Sequence, residues 1–241
     1  MEECIEQRTC ESFSADWWRG IVKALPIVSG YIPVGFAYGV LSQKAGLSEL
    51  NAVLMSLIVY AGASQFVAVG LIAAQTPAIS IILTIFIVNL RHLIMASALA
   101  PHLSRWRKRE LAAFGFELTD ETFAVHSTRF SKGMPPKTEI FATNMTAQAS
   151  WVLGSVLGIV AGGLISDVKP FGLDYALTAL FIALVVLQTT NRIQLFVALL
   201  TGMLSVALLQ AGIDRWNVIV ATLIGATVGV VIEQWNKRQS S

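Results

Sequence analysis

The sequence predicts an all-α integral membrane protein of about seven transmembrane helices, with broken helices and an inverted three-helix repeat. Of 241 residues, 55% are hydrophobic and only 13% are charged, whereas soluble domains carry about 25% charged residues. Several apolar runs reach the roughly 18 residues that a helix needs to cross a bilayer. Glycines and prolines punctuate some of these runs, which in a membrane helix indicates close packing or a break.

The remaining composition excludes several classes of protein. A net charge of +2 gives no reason to expect a nucleic-acid partner. Cys4 and Cys10 are spaced unlike zinc ligands, so neither a metal site nor a cofactor is expected. The chain has no H-E-x-x-H, G-x-S-x-G or P-loop pattern, and an enzyme is therefore not expected.

The polar tail 1–19 lacks the apolar core of a cleavable signal peptide. Trp17 and Trp18 beside Arg19 are instead typical of an anchor at the membrane interface. Residues 20–241 are predicted to form a single transmembrane domain. The predicted spans are 20–41, 50–74, 78–100, 143–165, 173–190, 193–211 and 217–234.

The order of these elements suggests an orientation. The last predicted helix lies between Trp216 and Trp235, nineteen residues apart, which is about 28 Å of helix and matches two aromatic belts. The connector 101–138 is rich in Lys and Arg and is predicted to be cytoplasmic and amphipathic. Counting back over three spans places the N-terminus outside.

A repeat at an offset of 126 residues relates about 20–100 to about 143–211. In each half, a glycine-punctuated span precedes an apolar run that ends in polar residues, GASQ (62–65) and QTTN (188–191). Three crossings invert the second half, and inverted repeats with broken helices mark the binding sites of secondary transporters. Breaks are predicted at Pro26, Gly30, Pro33 and Gly62.

The glycines of the fourth span have a different interpretation. Gly154, Gly158 and Gly162 recur every four residues, a spacing that favours close helix packing over a break.

Arg91 is the most informative charge. It lies about 18 Å along the third span, where insertion costs roughly 2.5–3.5 kcal/mol. We expect it to face a polar cavity, in which it either binds a substrate carboxylate or pairs with Glu117, Asp120 and Glu121. Those acids are predicted to share one face of a helix, which either closes the cavity or is simply solvated.

His92 either exchanges protons or forms a helix-to-helix hydrogen bond. The ends of broken helices offer N–H and C=O groups that suit the carboxylate and ammonium of an amino acid. The candidate substrate-binding or coupling residues are Arg91, His92, Asn89, Ser64, Gln65, Glu117, Asp120, Glu121, Gln188 and Asn191.

Four separated motifs, in order, carry a family resemblance: LPIVSGYIPVGFAYG, YAGASQF, NLRHLIMASALAPHL and LTDETFAV. The chain resembles the azaleucine-resistance (AzlC-type) branched-chain amino-acid permease family from about residue 20 to the last helix. The resemblance implies a large subunit that exports valine, leucine, isoleucine or a related apolar amino acid. It further implies a small, very hydrophobic AzlD-type partner and the cytoplasmic membrane of a bacterium or archaeon.

Three functions remain distinguishable from the residues alone. The leading one is a proton-driven exporter that works by alternating access. A passive channel or facilitator for small neutral solutes fits the broken helices equally well, although titratable groups beside Arg91 favour coupling. A purely structural subunit would require the partner to supply the pathway.

Overall fold

A computed structural model describes residues 2–164, 191–212 and 217–239, together with isolated positions between 175 and 189. Among these residues all regular structure is helical, which confirms the all-α membrane class. The chain divides into two compact units, Met1–Leu180 and Phe181–Ser241.

The first unit contains seven α-helices in its described part. They are α1 (Glu2–Lys44), α2 (Glu49–Leu54), α3 (Gly62–Ala73), α4 (Ala78–Leu99), α5 (Lys108–Phe116), α6 (Asp120–Phe130) and α7 (Lys137–Gly162). A π-helical turn, Met55–Val59, extends α2, and a 3-10 turn, Ala100–Leu103, extends α4. The second unit contributes α8 (Arg192–Gln210) and α9 (Asn217–Gln239).

Four described segments are long and apolar enough to cross a membrane: Phe13–Lys44, Ala78–Leu103, Lys137–Gly162 and Arg192–Gln210. They correspond to the first, third, fourth and sixth predicted spans. The second predicted span, 50–74, consists instead of two shorter apolar helices, and the apolar part of the last covers Val220–Ile232. Most of the fifth, 173–190, lies outside the described residues, so the count of seven and the inverted repeat stay predictions.

Helix α1 is continuous, and the breaks expected at Pro26, Gly30 and Pro33 are wrong. Both prolines lie inside the helix. Each removes one backbone hydrogen bond, because the carbonyl of Val22 or of Ser29 loses its N–H partner four residues later. Helix α7 packs directly along α1 and supports its axis. Membrane helices tolerate proline where protein neighbours compensate in this way.

The glycines of α1 serve its contact with α7. A Cβ on Gly35 would lie 2.9 Å from the Trp151 carbonyl oxygen, and one on Gly154 would lie 2.6 Å from that of Ile32. Gly39 and Gly158 lie even closer to the opposite backbone. The prediction of close packing for the α7 glycines is therefore confirmed.

A core of aromatic rings fills the space beside this helix pair. Tyr31 and Tyr38 of α1 and Phe66 of α3 surround Trp151 of α7, with Tyr60 next to Tyr31. The ring centroids of Tyr31 and Trp151 are 5.4 Å apart, edge to face, a geometry that aromatic pairs prefer. The rings therefore bring α3 and the end of the π-helical turn against α1 and α7.

The second predicted span is interrupted at Tyr60 and Ala61. Tyr60 adopts the left-handed conformation, with φ 44° and ψ 45°, and α3 begins at Gly62. Left-handed backbone is rare for a bulky residue and needs support from its surroundings. That support comes from the burial of the Tyr60 ring, which is 2% exposed.

The connector 101–138 folds into two short helices, which corrects its predicted single acidic face. Glu117 ends α5, whereas Asp120 and Glu121 lie in the first turn of α6. Helix α5 does not continue into α6, because Thr119 caps the start of α6 by accepting a hydrogen bond from the Thr122 N–H. The connector is not simply solvated either, since a second apolar core joins Phe114, Leu118 and Phe130 to α4 and α7.

The α1–α7 contact yields a test with a matched control in the same helix. Gly39→Ala places a methyl group against the Ser155 carbonyl oxygen and 2.7 Å from the Ile159 nitrogen, which should destabilise the fold by about 1–3 kcal/mol. Gly30→Ala meets nothing within 4 Å and should raise stability by up to about 1 kcal/mol. Thermal unfolding in detergent measures both, and equal shifts would contradict the assigned packing.

Candidate functional site

A buried hydrogen-bond network joins the two sides of the break at Tyr60. Ser56, before the break, accepts from the Gln65 side-chain amide after it, at 3.1 Å. The Gln65 oxygen accepts from the Trp151 indole N–H at 3.0 Å, and Ser56 also bonds to Ser155 at 2.8 Å. Gln65, one of the predicted site residues, is fully buried. Its side chain therefore holds α3 and the π-helical turn against α7.

An apolar cavity lies next to this break. Its volume is about 390 Å³, within the range of small-molecule sites. Among the described residues that line it, Ser64 and Gln65 are the polar ones. The apolar lining is supplied by the π-helical turn, α3 and α4: Met55, Val59, Ala68, Ile81, Ile82, Ile85 and Phe86.

Polar side chains follow the cavity along α4. The Ser64 hydroxyl donates to Asn89, one turn beyond Ile85. The ring Nδ1 of His92 lies 3.2 Å from the Asn89 carbonyl oxygen, a contact within α4 and not the helix-to-helix bond considered above. Ser64, which lines the cavity, thus contacts Asn89, and His92 lies about one turn further along α4.

Arg91 forms an ion pair with Asp120. The Nη1 atom of Arg91 lies 2.7 Å from the Asp120 carboxylate, and the two side chains are 26% and 11% exposed. Two roles were considered for Arg91, binding of a substrate carboxylate and pairing with an acid of the connector. The structure shows the second, with Asp120 as the acid. The buried Nε of Arg91 has no hydrogen-bond partner among the described residues, so the guanidinium keeps a donor for a further ligand.

Tyr31 anchors the start of α6 to α1. Its hydroxyl lies 2.7 Å from the Thr119 hydroxyl and donates to the Glu121 carboxylate at 2.6 Å. Burial raises the pKa of Glu121, while the tyrosine hydrogen bond and the helix N-terminus both favour its charged form. The short turn from Glu117 to Asp120 is therefore fixed to α1 by Tyr31 and to α4 by Arg91.

Three predicted residues do not take part in the contacts described so far. Asn191 lies in the second unit, where its side chain caps α8 by accepting from the Gln194 N–H at 2.8 Å. Gln188 lies outside the described residues. Glu117 faces a separate buried cluster with Asn144 and His126.

Several residues that the sequence did not single out contact the predicted ones directly or through one further hydrogen bond. They are Tyr31, Ser56, Thr119, His126, Asn144, Trp151 and Ser155. Single hydroxyl, amide and aromatic residues inside apolar helices were the available signal, because a buried polar group needs a partner. Which partner each one finds depends on tertiary contacts.

The Arg91–Asp120 pair is testable by a double-mutant cycle. Removing one charge leaves the other partly buried and unpaired, so Arg91→Gln and Asp120→Asn should each destabilise the protein, and the double variant should lose less than their sum. We expect a coupling energy of about 1–3 kcal/mol, measured by unfolding in detergent.

The more exposed pair of Lys137 and Glu110, also 2.7 Å apart and with side chains 47% and 28% exposed, provides the control. Its coupling should be clearly smaller, because solvent screens an ion pair at the surface. Equal coupling in the two pairs would contradict the role of burial at Arg91.

Comparison with known proteins places these features in a family. The AzlC protein family model matches residues 26–165. This range contains α1 from Pro26 on, the interrupted second span formed by α2 and α3, α4, the connector and α7. No solved structure matches the chain.

Three relatives cover most of the chain. A membrane protein of Archaeoglobus fulgidus is 36% identical over 221 residues, which is 89% of this chain and 94% of the relative. The inner membrane protein YgaZ of Escherichia coli is 33% identical over 90% of this chain and 89% of its own length. The branched-chain amino acid transport protein AzlC of Bacillus subtilis is 30% identical over 76% of this chain and 72% of its own length.

The matched range and these relatives agree with the multi-pass helical structure. The chain belongs to the AzlC family of membrane transport proteins.

Proposed function

We propose that this chain is the large subunit of a two-component secondary transporter that exports branched-chain or other apolar amino acids across the cytoplasmic membrane, driven by the proton gradient. The observation that carries the proposal is the apolar cavity of about 390 Å³ beside an interrupted membrane helix. A relative named as a branched-chain amino acid transport protein supports the substrate class.

The cavity suits the side chain of such a substrate. Met55, Ile82 and Ile85 present hydrocarbon surface, and burying an aliphatic side chain there is favourable by roughly 1.5–3 kcal/mol. Ser64 and Gln65 lie at the wall near the break and mark the polar end. There the N-terminus of α3 attracts a carboxylate, and carbonyl groups before the break attract an ammonium group.

Arg91 provides a way to link substrate binding to the connector. It pairs with Asp120, and its Nε has no hydrogen-bond partner among the described residues. A substrate carboxylate competes with Asp120 for this guanidinium, since arginine binds carboxylates through two parallel N–H groups. Release of Asp120 would detach the start of α6 from α4, which gives alternating access a defined moving part.

The family resemblance supplies the other parts of the proposal. A small hydrophobic partner of the AzlD type completes the transporter, and the complex lies in the inner membrane of a bacterium or archaeon. A proton gradient is the proposed driving force because Glu117, Asp120 and Glu121 all lie within a short segment beside Arg91.

Transport by proteoliposomes that contain the chain and its partner tests the function. Efflux of labelled valine or leucine should saturate with concentration and accelerate when the outside is acidified. Linear efflux that ignores the pH gradient would contradict the exporter and indicate a passive facilitator. Vesicles without valine or leucine flux would contradict the substrate class.

The cavity itself is tested by a pair of substitutions in α4. Ile85→Trp fills the cavity and should raise the half-saturating concentration of leucine by about tenfold or more, since one methylene misplaced in such a pocket costs 1–3 kcal/mol. Ile87 is an exposed residue of α4 that does not line the cavity, so the Ile87→Trp variant should transport like the wild type. Equal effects of the two variants would place the substrate elsewhere.

A further inference from the structure

A second buried polar cluster lies where α5, α6 and α7 meet. Its members are Glu117 at the end of α5, His126 of α6 and Asn144 of α7. They are 8%, 2% and 0% exposed, respectively. The proposed substrate route, which runs from the cavity to Arg91, uses none of these three side chains.

The geometry of the cluster leaves three polar atoms without partners. The Nε2 of His126 lies 2.7 Å from the Asn144 Oδ1, and the imidazole stacks on Phe130 with ring centroids 5.4 Å apart. Glu117 Oε2, His126 Nδ1 and Asn144 Nδ2 are all buried without a hydrogen bond among the described residues. Native proteins rarely leave buried polar atoms without a hydrogen bond, and each such atom calls for an explanation, such as a functional role.

Glu117 differs in this respect from the other two acids of the turn. Asp120 is held by Arg91, and Glu121 accepts from the Tyr31 hydroxyl. Glu117 keeps a buried carboxyl oxygen with no donor. A carboxyl group in this situation gains a great deal from taking up a proton, because the neutral form is far less costly to bury.

The electrostatic surroundings favour a proton on Glu117 near neutral pH. Burial raises the pKa of Glu117 to about 7, and the nearby Asn144 amide opposes that rise. Among the described residues, the ionisable group that interacts with Glu117 is Tyr60. The carboxyl group therefore titrates in the range where a cell maintains its proton gradient.

His126 has its own charged neighbours, Arg129 and Glu139, which form an ion pair. Glu139 also approaches Arg19 at 3.9 Å. Burial lowers the pKa of His126, so the imidazole is neutral at physiological pH. Through its contact with Asn144 Oδ1 it fixes the orientation of that amide.

We propose that Glu117 is the proton-binding residue of this transporter and that Asn144, oriented by His126, is its positioning residue. The proposal rests on the proposed function, which requires a proton to be exchanged for substrate. Uptake converts the carboxylate of Glu117 to a carboxylic acid with no other bond made or broken. Because Glu117 and Asp120 lie on the same short turn, the proton site and the Arg91 site are joined mechanically.

The test separates coupling from transport. Glu117→Gln mimics the protonated acid and should reduce valine efflux driven by a pH gradient by about tenfold or more. It should still exchange labelled for unlabelled valine across the membrane, because exchange needs no net proton movement. Glu110→Gln removes an exposed acid of the same helix and should leave both measurements unchanged.

Each outcome bears on one proposal. Gradient-driven efflux that survives Glu117→Gln would overturn the assignment of Glu117. Loss of exchange together with gradient-driven efflux would also overturn it, since Glu117 would then serve structure or substrate binding. A wild-type protein that neither exchanges nor exports valine would instead refute the proposed function.

A second variant keeps the test valid if Glu117→Gln fails to fold. Asn144→Leu removes the amide that favours the charged carboxylate. The pKa of Glu117 should then rise, so the pH at which gradient-driven efflux is half-maximal should move upward from the wild-type value. An unchanged pH profile in a folded variant would overturn the role of the cluster.

Discussion

The direct contact between the backbones of α1 and α7 supports every other feature of the first unit. In lipid, helices gain little from the hydrophobic effect and associate through close packing and hydrogen bonds. The glycines at 35, 39, 154 and 158 allow the two backbones to touch. Helix α7 can then place Trp151 and Ser155 against α3 and the π-helical turn, on the two sides of the break at Tyr60. It also places Asn144 and Glu139 against the connector.

The interrupted backbone follows from this support. Unpaired backbone groups at membrane depth must face protein or a polar cavity, and the break at Tyr60 is enclosed by Tyr31, Trp151 and Gln65. The turn between α5 and α6 carries Asp120 to Arg91 and Glu121 to Tyr31. In the proposed function, a substrate carboxylate competes with Asp120 for Arg91, so that substrate binding changes the charge balance at the start of a short helix.

The sequence predicted the parts of this structure that depend on composition and on unpaired charge. Apolar length identifies the spans, and the cost of a lone Arg91 in lipid predicts a polar cavity or a partner acid. The break predicted at Gly62 agrees with an interruption at Tyr60 and Ala61, directly before α3 begins. The breaks predicted at Pro26 and Pro33 are wrong because contacts with neighbouring helices support a continuous helix there. The acids do not share a face because Thr119 starts a new helix, and His126 and Asn144 meet only through the tertiary fold.

Substrate protection of the cavity tests the central claim most directly. Cys4 and Cys10 are replaced by serine, and a single cysteine is placed at Val59, an exposed residue of the cavity beside the break. The rate of its modification by a water-soluble thiol reagent is then measured with and without valine in vesicles that contain both subunits. We expect valine and leucine to slow modification of Val59→Cys, and glutamate to leave it unchanged. Modification at one rate with and without either apolar amino acid would contradict binding in this cavity.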